Sequence, residues 1–305
     1  MQRLNETTHL IDLLFLGRPG VIGTAVLETS AGVLLVDPGP TTCLPTLRRE
    51  LEEAGVGAGD VHGLLITHIH LDHAGASGTI VREWPHVAVY VHQRGATHMA
   101  DPAKLEASAR RLYGADMDRL WGELAPVPVD RLRILEGGEA LEIGGRPIGV
   151  AYTPGHASHH VSYFDESTGM VCTGDTAGIR VGSLPYALPP TPPPDIDPPL
   201  WRASLDRIGA WRPSSVYVTH FGLHADAEQH LALVREELDW WERLSGQIVE
   251  EGGGDDEQAS RFASAVGGRM TSRVGEKAAT YMAAVPLEHC WMGLSRFWNR
   301  QRRNA

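Results

Sequence analysis

An apolar run that ends in a cluster of ionisable side chains narrows what this chain can become. Leu64-Leu65-Ile66 reads as a buried strand. In the stretch that follows, Thr67-His68-Ile69-His70-Leu71-Asp72-His73-Ala74-Gly75, three histidines and an aspartate fall within six positions. Side chains alternate along an extended backbone, so His68 and His70 point the same way. Asp72 and His73 follow where Ala74-Gly75 suggests a turn into a helix. One loop can therefore offer two imidazoles to one cation, and a carboxylate plus an imidazole to a second. A lone histidine after a strand is usually structural, but four potential ligands in a His-x-His-x-Asp-His spacing point to a metal site. Imidazole with carboxylate suits zinc, with iron or manganese as alternatives.

The 305 residues suffice for one large domain or two modest ones. An apolar fraction of 42% and a charged fraction of 21% are those of a globular protein. No apolar run approaches the roughly 20 residues needed to span a bilayer. Met1 to Glu6 lacks the basic start and apolar stretch of a leader, so no membrane association and a cytoplasmic location are expected. Cys43, Cys172 and Cys290 are distant and odd in number, which argues against a disulfide framework and predicts three small buried residues. The net charge of -11 opposes non-specific binding to nucleic acid, so no nucleic-acid partner is expected. The expected partner is a small-molecule substrate, and a homodimer is an open option.

Short strands separated by glycine and proline are predicted over 9–16, 21–29 and 32–36, forming a first β-meander that ends at Asp37. That aspartate either caps the turn or supports a ligand loop from behind. Residues 44–54 have helical periodicity, 61–67 form the strand feeding the histidine cluster, and 76–83 form a helix. Another strand covers 87–91, and a helical region covers 102–123 with a break at Gly114. Strands at 131–135, 140–143 and 147–152 read as a second meander, followed by a hairpin of 161–164 with 170–173. A helix over 200–211 precedes a last strand at 216–219. Beyond Ala225 the pattern is helical, with breaks at Gly252-Gly253-Gly254 and Gly267-Gly268, and it places His224 and His230 on a helix. The segment 184–199 carries eight prolines from Pro185 onward. It is expected to be irregular and either to wall a pocket with Tyr186 and Leu188 or to reach another subunit.

What terminates the strands carries the argument further. His156 follows Tyr152, Asp175 follows Cys172, and His220 follows Val218, just as His68 follows Ile66. Functional groups on loops at strand ends, held by a rigid sheet, are a common way to build a site. The collected set is His68, His70, Asp72, His73, His156, Asp175 and His220. It accommodates two divalent cations, one on His68, His70 and His156, the other on Asp72, His73 and His220, with Asp175 shared between them. A water or hydroxide held between two such cations is a nucleophile at neutral pH. Asp72 would hold or shuttle its proton, which makes Asp72 and Asp175 the candidate catalytic residues.

The ordered series Val36-Asp37-Pro38-Gly39, Thr67 to Gly75, Thr153-Pro154-Gly155-His156, Gly174-Asp175-Thr176 and Thr219-His220-Phe221-Gly222 resembles the metallo-β-lactamase superfamily, and within it the glyoxalase II-like branch. The resemblance implies an α+β fold, a four-layer αββα sandwich with the metals at one edge. It covers roughly 1–232 as the catalytic domain, leaving 233–305 as a helical extension packed on it. It also implies a dinuclear hydrolase that uses a metal-bridging hydroxide on a small ester, thioester or lactone. The same scaffold hosts iron-dependent persulfide dioxygenases and, with less support here, phosphodiesterases or nucleases. Two departures separate the chain from named substrates. Arg180 is the one cation between Thr176 and Gly182, where a glutathione-binding member offers several. Gly178 stands where lactonases that cleave acyl-homoserine lactones often carry tyrosine.

Overall fold

A computed structural model describes residues 1–304. The chain opens with β1 (Gln2–Arg3), β2 (Thr8–Asp12), β3 (Gly23–Thr29) and β4 (Gly32–Val36), then α1 (Leu44–Glu53) and β5 (Val61–Leu65). After the histidine-rich loop come α2 (Leu71–Ala74), α3 (Ser77–Glu83), β6 (Ala88–His92), α4 (Gln93–Ala100), α5 (Ala103–Tyr113), α6 (Met117–Trp121) and β7 (Leu132–Leu135). The second half holds β8 (Ala140–Ile143), β9 (Arg146–Tyr152), β10 (Val161–Asp165), β11 (Met170–Cys172), α7 (Pro198–Ala210), β12 (Ser215–Val218) and β13 (Gly222–His224). Four helices close the chain: α8 (Ala227–Glu251), α9 (Asp255–Val274), α10 (Ala278–Ala284) and α11 (Leu287–Asn304).

Two sheets form, a seven-stranded one in the order β1 to β7 and a six-stranded one in the order β13-β12-β11-β10-β9-β8. Period-two alternation makes each strand serve two cores. In β4, Leu34 and Val36 enter the layer between the sheets with Ile148, Val161 and Tyr163. Val33 and Leu35 of the same strand face outward, onto Leu44, Leu47 and Leu51 of α1. On the far side, Val171, Val216 and Val218 pack against Ile208 of α7. Helices therefore cover both outer faces, giving the expected αββα sandwich.

Three expectations fail for one shared reason, that sheet membership and packing override local pattern. Leu132–Leu135 does not join a second meander; β7 pairs parallel with β6 as the edge of the first sheet. Residues 222–224 are not helical but form β13, which turns back at Gly222 and pairs antiparallel with β12. Gly267-Gly268 does not interrupt α9. Phe262, Val266, Met270 and Val274 recur every four residues along its buried side, and their packing outweighs the low helix propensity of two glycines. The first strand also stops early, at Asp12, before a 3-10 turn at Phe15–Gly17 in which Leu14 and Leu16 adopt positive φ.

The remaining boundaries hold to within a few residues, including the break at Gly114 and the one after Glu251. Residues 184–197 form no helix or strand beyond a single bridge between Ile179 and Leu188. All three cysteines are free and buried. No described helix is long and apolar enough to cross a membrane.

The boundary placed between 232 and 233 falls inside α8. The apolar cluster of the last helices, around Trp241, Phe262 and Trp291, also draws in Ile179, Tyr186, Leu188 and Trp201 from before that point. Gly293 of α11 approaches so closely that a β-carbon there would lie 2.0 Å from the Thr191 carbonyl oxygen. Thr191 in turn donates its hydroxyl to the Cys290 carbonyl at 3.0 Å. The proline-dense segment is thus pinned between the sandwich and α11.

Candidate metal centre

Parallel pairing sets the site. β4 lies parallel to β5 in the first sheet, and β11 parallel to β12 in the second. Each pair releases its loops at the same end. Asp37 follows β4, Thr67-His68 follows β5, Thr173-Gly174-Asp175 follows β11, and Thr219-His220 follows β12. Hydrogen bonds join the two sheets along this edge, three of them to main-chain carbonyls beside the strand ends. These three run from Val161 N to Thr67 O (2.8 Å), from Gly23 N to Thr219 O (2.9 Å) and from the Tyr163 hydroxyl to Ile66 O (2.9 Å).

The seven residues singled out in the sequence converge in two groups. His68, His70, His156 and Asp175 form one, and Asp72, His73 and His220 the other, with the candidate ligand atoms of each group within 4.8 Å of one another. Asp175 faces both groups. Its Oδ2 lies 3.4 Å from His156 Nε2, while its Oδ1 lies 3.3 Å from His73 Nε2 and 3.5 Å from His220 Nε2. Asp72 Oδ2 is 3.3 Å from His220 Nε2.

The tautomers follow from what each ring touches behind the site. Thr67 gives its single hydroxyl hydrogen to Asp37 Oδ2 at 2.7 Å, so toward His68 Nδ1, 3.1 Å away, it can only accept. His68 therefore carries its proton on Nδ1 and turns a bare Nε2 into the site. His156 Nδ1 donates to the Pro190 carbonyl (2.8 Å), His220 Nδ1 to the Val21 carbonyl (2.7 Å) and His73 Nδ1 to Asp37 Oδ2 (2.8 Å). Each of these rings likewise aims its Nε2 into the site.

In the group of His68, His70 and His156 the result is acceptors facing acceptors. His68 Nε2 and His156 Nε2 lie 2.9 and 3.0 Å from His70 Nδ1, which can give a proton to only one of them. His73 Nε2 and Asp175 Oδ1 are buried with no hydrogen-bond partner. Buried lone pairs so arranged call for cations. Ligand bonds of about 2.0–2.1 Å in a tetrahedron put ligand atoms about 3.3 Å apart, close to the 3.3–3.5 Å around Asp175. The donor set, five imidazoles and two carboxylates, fits divalent metal.

The electrostatics divide the two groups. Burial and the neighbouring imidazoles hold His68 well below its ordinary pKa, and burial with His156 pulls His70 down to about 4. Burial also opposes charge on His73, but Asp175, Asp72 and Asp37 outweigh it and push that ring well above its ordinary value. His220 is raised as well, against burial, chiefly by Asp175 and Asp72.

Asp37, whose role the sequence left open between a cap and a support, takes the second. Fully buried, it accepts from Thr67 N, the Thr67 and Thr219 hydroxyls and His73 Nδ1. Gly174 shapes the turn before Asp175, with φ at +46° and no space for a β-carbon, which would lie 2.3 Å from Thr67 Oγ1. His160 fills the floor, its Nδ1 3.1 Å from the Thr153 hydroxyl and 3.2 Å from that of Thr176.

Other expected contributors lie elsewhere. Arg180 offers nothing to a ligand: it is 2% exposed and forms a double hydrogen bond with Asp226, 2.8 Å at each nitrogen. Its backbone N–H donates to the His220 carbonyl at 2.8 Å, so it braces that loop. His230 Nε2 donates to the Ala177 carbonyl, and His224 packs against the His230 ring in the interior. Tyr186 and Leu188 are fully buried in the core of the last helices and wall no pocket. The prolines do: Pro190 and Pro192-Pro193-Pro194 line a cleft of about 1350 Å³. His70, Asp72, Asp175 and His220 line the same cleft. Phe15, Tyr113 and Trp121 were not foreseen there, because nothing in their sequence neighbourhoods marks them as neighbours in space.

The fold and this edge site define a metallo-hydrolase type of sandwich, and the comparisons with known proteins agree. The metallo-beta-lactamase superfamily model matches residues 18–220, and the chain belongs to that superfamily. It is 31% identical over 183 residues to a metallo-beta-lactamase fold-containing protein of Sulfurisphaera tokodaii, covering 57% of this chain and 67% of the relative. It is 26% identical over 153 residues to a hydroxyacylglutathione hydrolase of Legionella pneumophila. That match spans half of this chain but only 46% of the relative's length. A metallo-beta-lactamase family protein of Thermus thermophilus superposes with a TM-score of 0.69 at 22% identity, covering 99% of this chain and 95% of that one. A further solved structure, described as a di-iron-bound form, superposes with a TM-score of 0.52 at 26% identity over 70% of this chain and 93% of its own.

Proposed function

We propose that the protein is a dinuclear metal-dependent hydrolase that cleaves an ester, thioester or lactone bond of a small molecule. The observation that carries the proposal is Asp175, whose two oxygens face two separate groups of imidazoles. Two divalent cations there, zinc in the first instance, would supply Lewis acidity that activates water near neutral pH and polarises a carbonyl. The hydroxyacylglutathione hydrolase relative supports a thioester or ester substrate class, and the di-iron-bound neighbour keeps iron open as the metal.

The chain's own residues divide the remaining work. His68, His70 and His156 would hold one cation, Asp72, His73 and His220 the other, and Asp175 both. Asp37 and the carbonyls of Val21 and Pro190 keep the imidazoles in one tautomer, so no reorientation is needed on loading. Asp72 is the ligand for a second task. Its side chain is 19% exposed and lines the cleft, so one oxygen can take a proton from the attacking water and pass it to the leaving group. Pro190 to Pro194 form a stiff wall that limits how water and substrate approach.

A one-iron oxidoreductase is the weaker reading, because it would leave Asp72, His73 and His220 facing one another without a cation. The test is a metal-quantified activity panel over thioesters, lactones, esters, β-lactams and phosphodiesters, with Asp175→Ala beside it. Hydrolysis of a carbonyl ester or thioester, lost in the variant, is the expected result. Activity that survives Asp175→Ala, or is confined to phosphodiesters, would overturn the proposal.

A further inference from the structure

The cleft leading from the metal centre is larger than metal chemistry requires. Its volume of about 1350 Å³ exceeds the roughly 300–1,000 Å³ of ordinary small-molecule sites. One wall is a continuous aromatic strip. Phe15 stacks on Trp121 with ring centroids 5.4 Å apart, Trp121 meets Tyr113 at 5.1 Å, and Tyr113 meets His289 at 5.6 Å. The strip joins the loop after β2 to α5, α6 and α11. Beyond it, Ala259 and Ala263 of α9, Ala283 and Ala284 of α10, and Met292 of α11 extend an apolar surface. Met292 is 47% exposed. Leu16, at the near end, is 46% exposed.

Charged groups line the cleft as well: Arg111, Asp116 and Arg119 on the segments that carry Tyr113 and Trp121, with Arg119 paired to Asp116 at 3.0 Å, and Glu288 and Arg296 on α11. Asp255 and Asp256 open α9 and Arg303 lies in the last turn of α11. Eight residues of helix, about 12 Å, separate Asp255 from Ala263. Nearer the metal centre the single cation of the 176–182 segment is unavailable, since Arg180 is buried against Asp226. An aliphatic chain would find aromatic and alanine surfaces.

We infer that the cleft is an acyl-chain site, and that the molecule held there carries a medium-to-long aliphatic acyl group. Its carbonyl sits at the metal centre and its chain runs between the aromatic strip and the helices α9 to α11. The inference rests on the hydrolase reading for the bond that is cut, but not for the chain that is held.

The two are separable by experiment. Binding of saturated carboxylates of about four to fourteen carbons to the metal-loaded protein is measured by calorimetry, below their micellar concentrations. Affinity is expected to rise about fourfold per methylene before levelling off. Met292→Asp and Ala263→Phe are expected to flatten that rise, each with its fold checked by circular dichroism. Ile134→Ser, on the exposed edge strand remote from the cleft, should leave it intact. Hydrolysis of thioesters and of lactones with equal acyl length is followed in parallel. Length-dependent binding without hydrolysis of either would uphold the site and defeat the hydrolase reading. Affinity indifferent to chain length, or a rise unaltered in both cleft variants, would overturn the inference even if hydrolysis is seen.

Discussion

Asp37 shows how much one carboxylate can fix. Its two oxygens accept four hydrogen bonds, from Thr67 twice, from Thr219 and from His73. It thereby ties the loops of both sheets to one point. Asp37→Ala is expected to weaken metal binding by about 10- to 100-fold, measured by competition with a chelating dye. It should also cost about 1–3 kcal/mol in denaturant unfolding for each hydroxyl or amide left without a partner. An unchanged metal affinity would refute the supporting role.

A second residue-scale prediction concerns pH. In the metal-free protein His73 and His220 hold protons more tightly than free imidazole, whereas His68, His70 and His156 hold them less tightly. A cation entering the Asp72–His73–His220 group must displace those protons, so its affinity there should keep climbing as pH rises above the ordinary imidazole value of about 6.5. Binding at the other group should be nearly flat over that range. Titrations that release no protons on filling the second group would contradict this.

At the scale of elements, the sequence was most informative where period and terminator agreed. β4 and β5 could be read because continuous apolar runs led into Asp37 and Thr67. All seven converging residues could be read because each stands just after an apolar run. β7 was misplaced because its four residues look the same in either sheet. β13 was missed because three residues carry too little pattern. The partner of Arg180 was not legible, since nothing nearby in sequence announced Asp226, 46 residues on. Its observed place yields a prediction: Arg180→Ala keeps the backbone bond to the His220 loop but removes the side-chain bonds to Asp226, just before α8, and to the Leu184 carbonyl. Because Asp226 is 39% exposed, the ion pair is partly screened, and a loss of about 1–3 kcal/mol in urea unfolding is expected. A variant as stable as the parent would show that the brace is dispensable.

At the scale of the whole molecule, the sandwich and its edge site were legible, but the cleft was not. It is assembled from segments as distant as Phe15, Tyr113, Pro190 and Met292, which no local signal connects. The last helices share a core with Ile179, Tyr186 and Trp201, so they are expected to be indispensable to folding. A fragment ending at 232 should fail to give the cooperative unfolding and near-ultraviolet dichroism of the full chain. A well-folded fragment would instead support an independent catalytic domain. Most direct of all is the metal content of the purified chain and of Asp175→Ala, read by mass spectrometry with the melting temperature before and after chelation. Two divalent cations per chain, a drop in the variant and a lower melting temperature after chelation are predicted. A chain that carries no metal and keeps its full stability in chelator would contradict the shared-carboxylate centre.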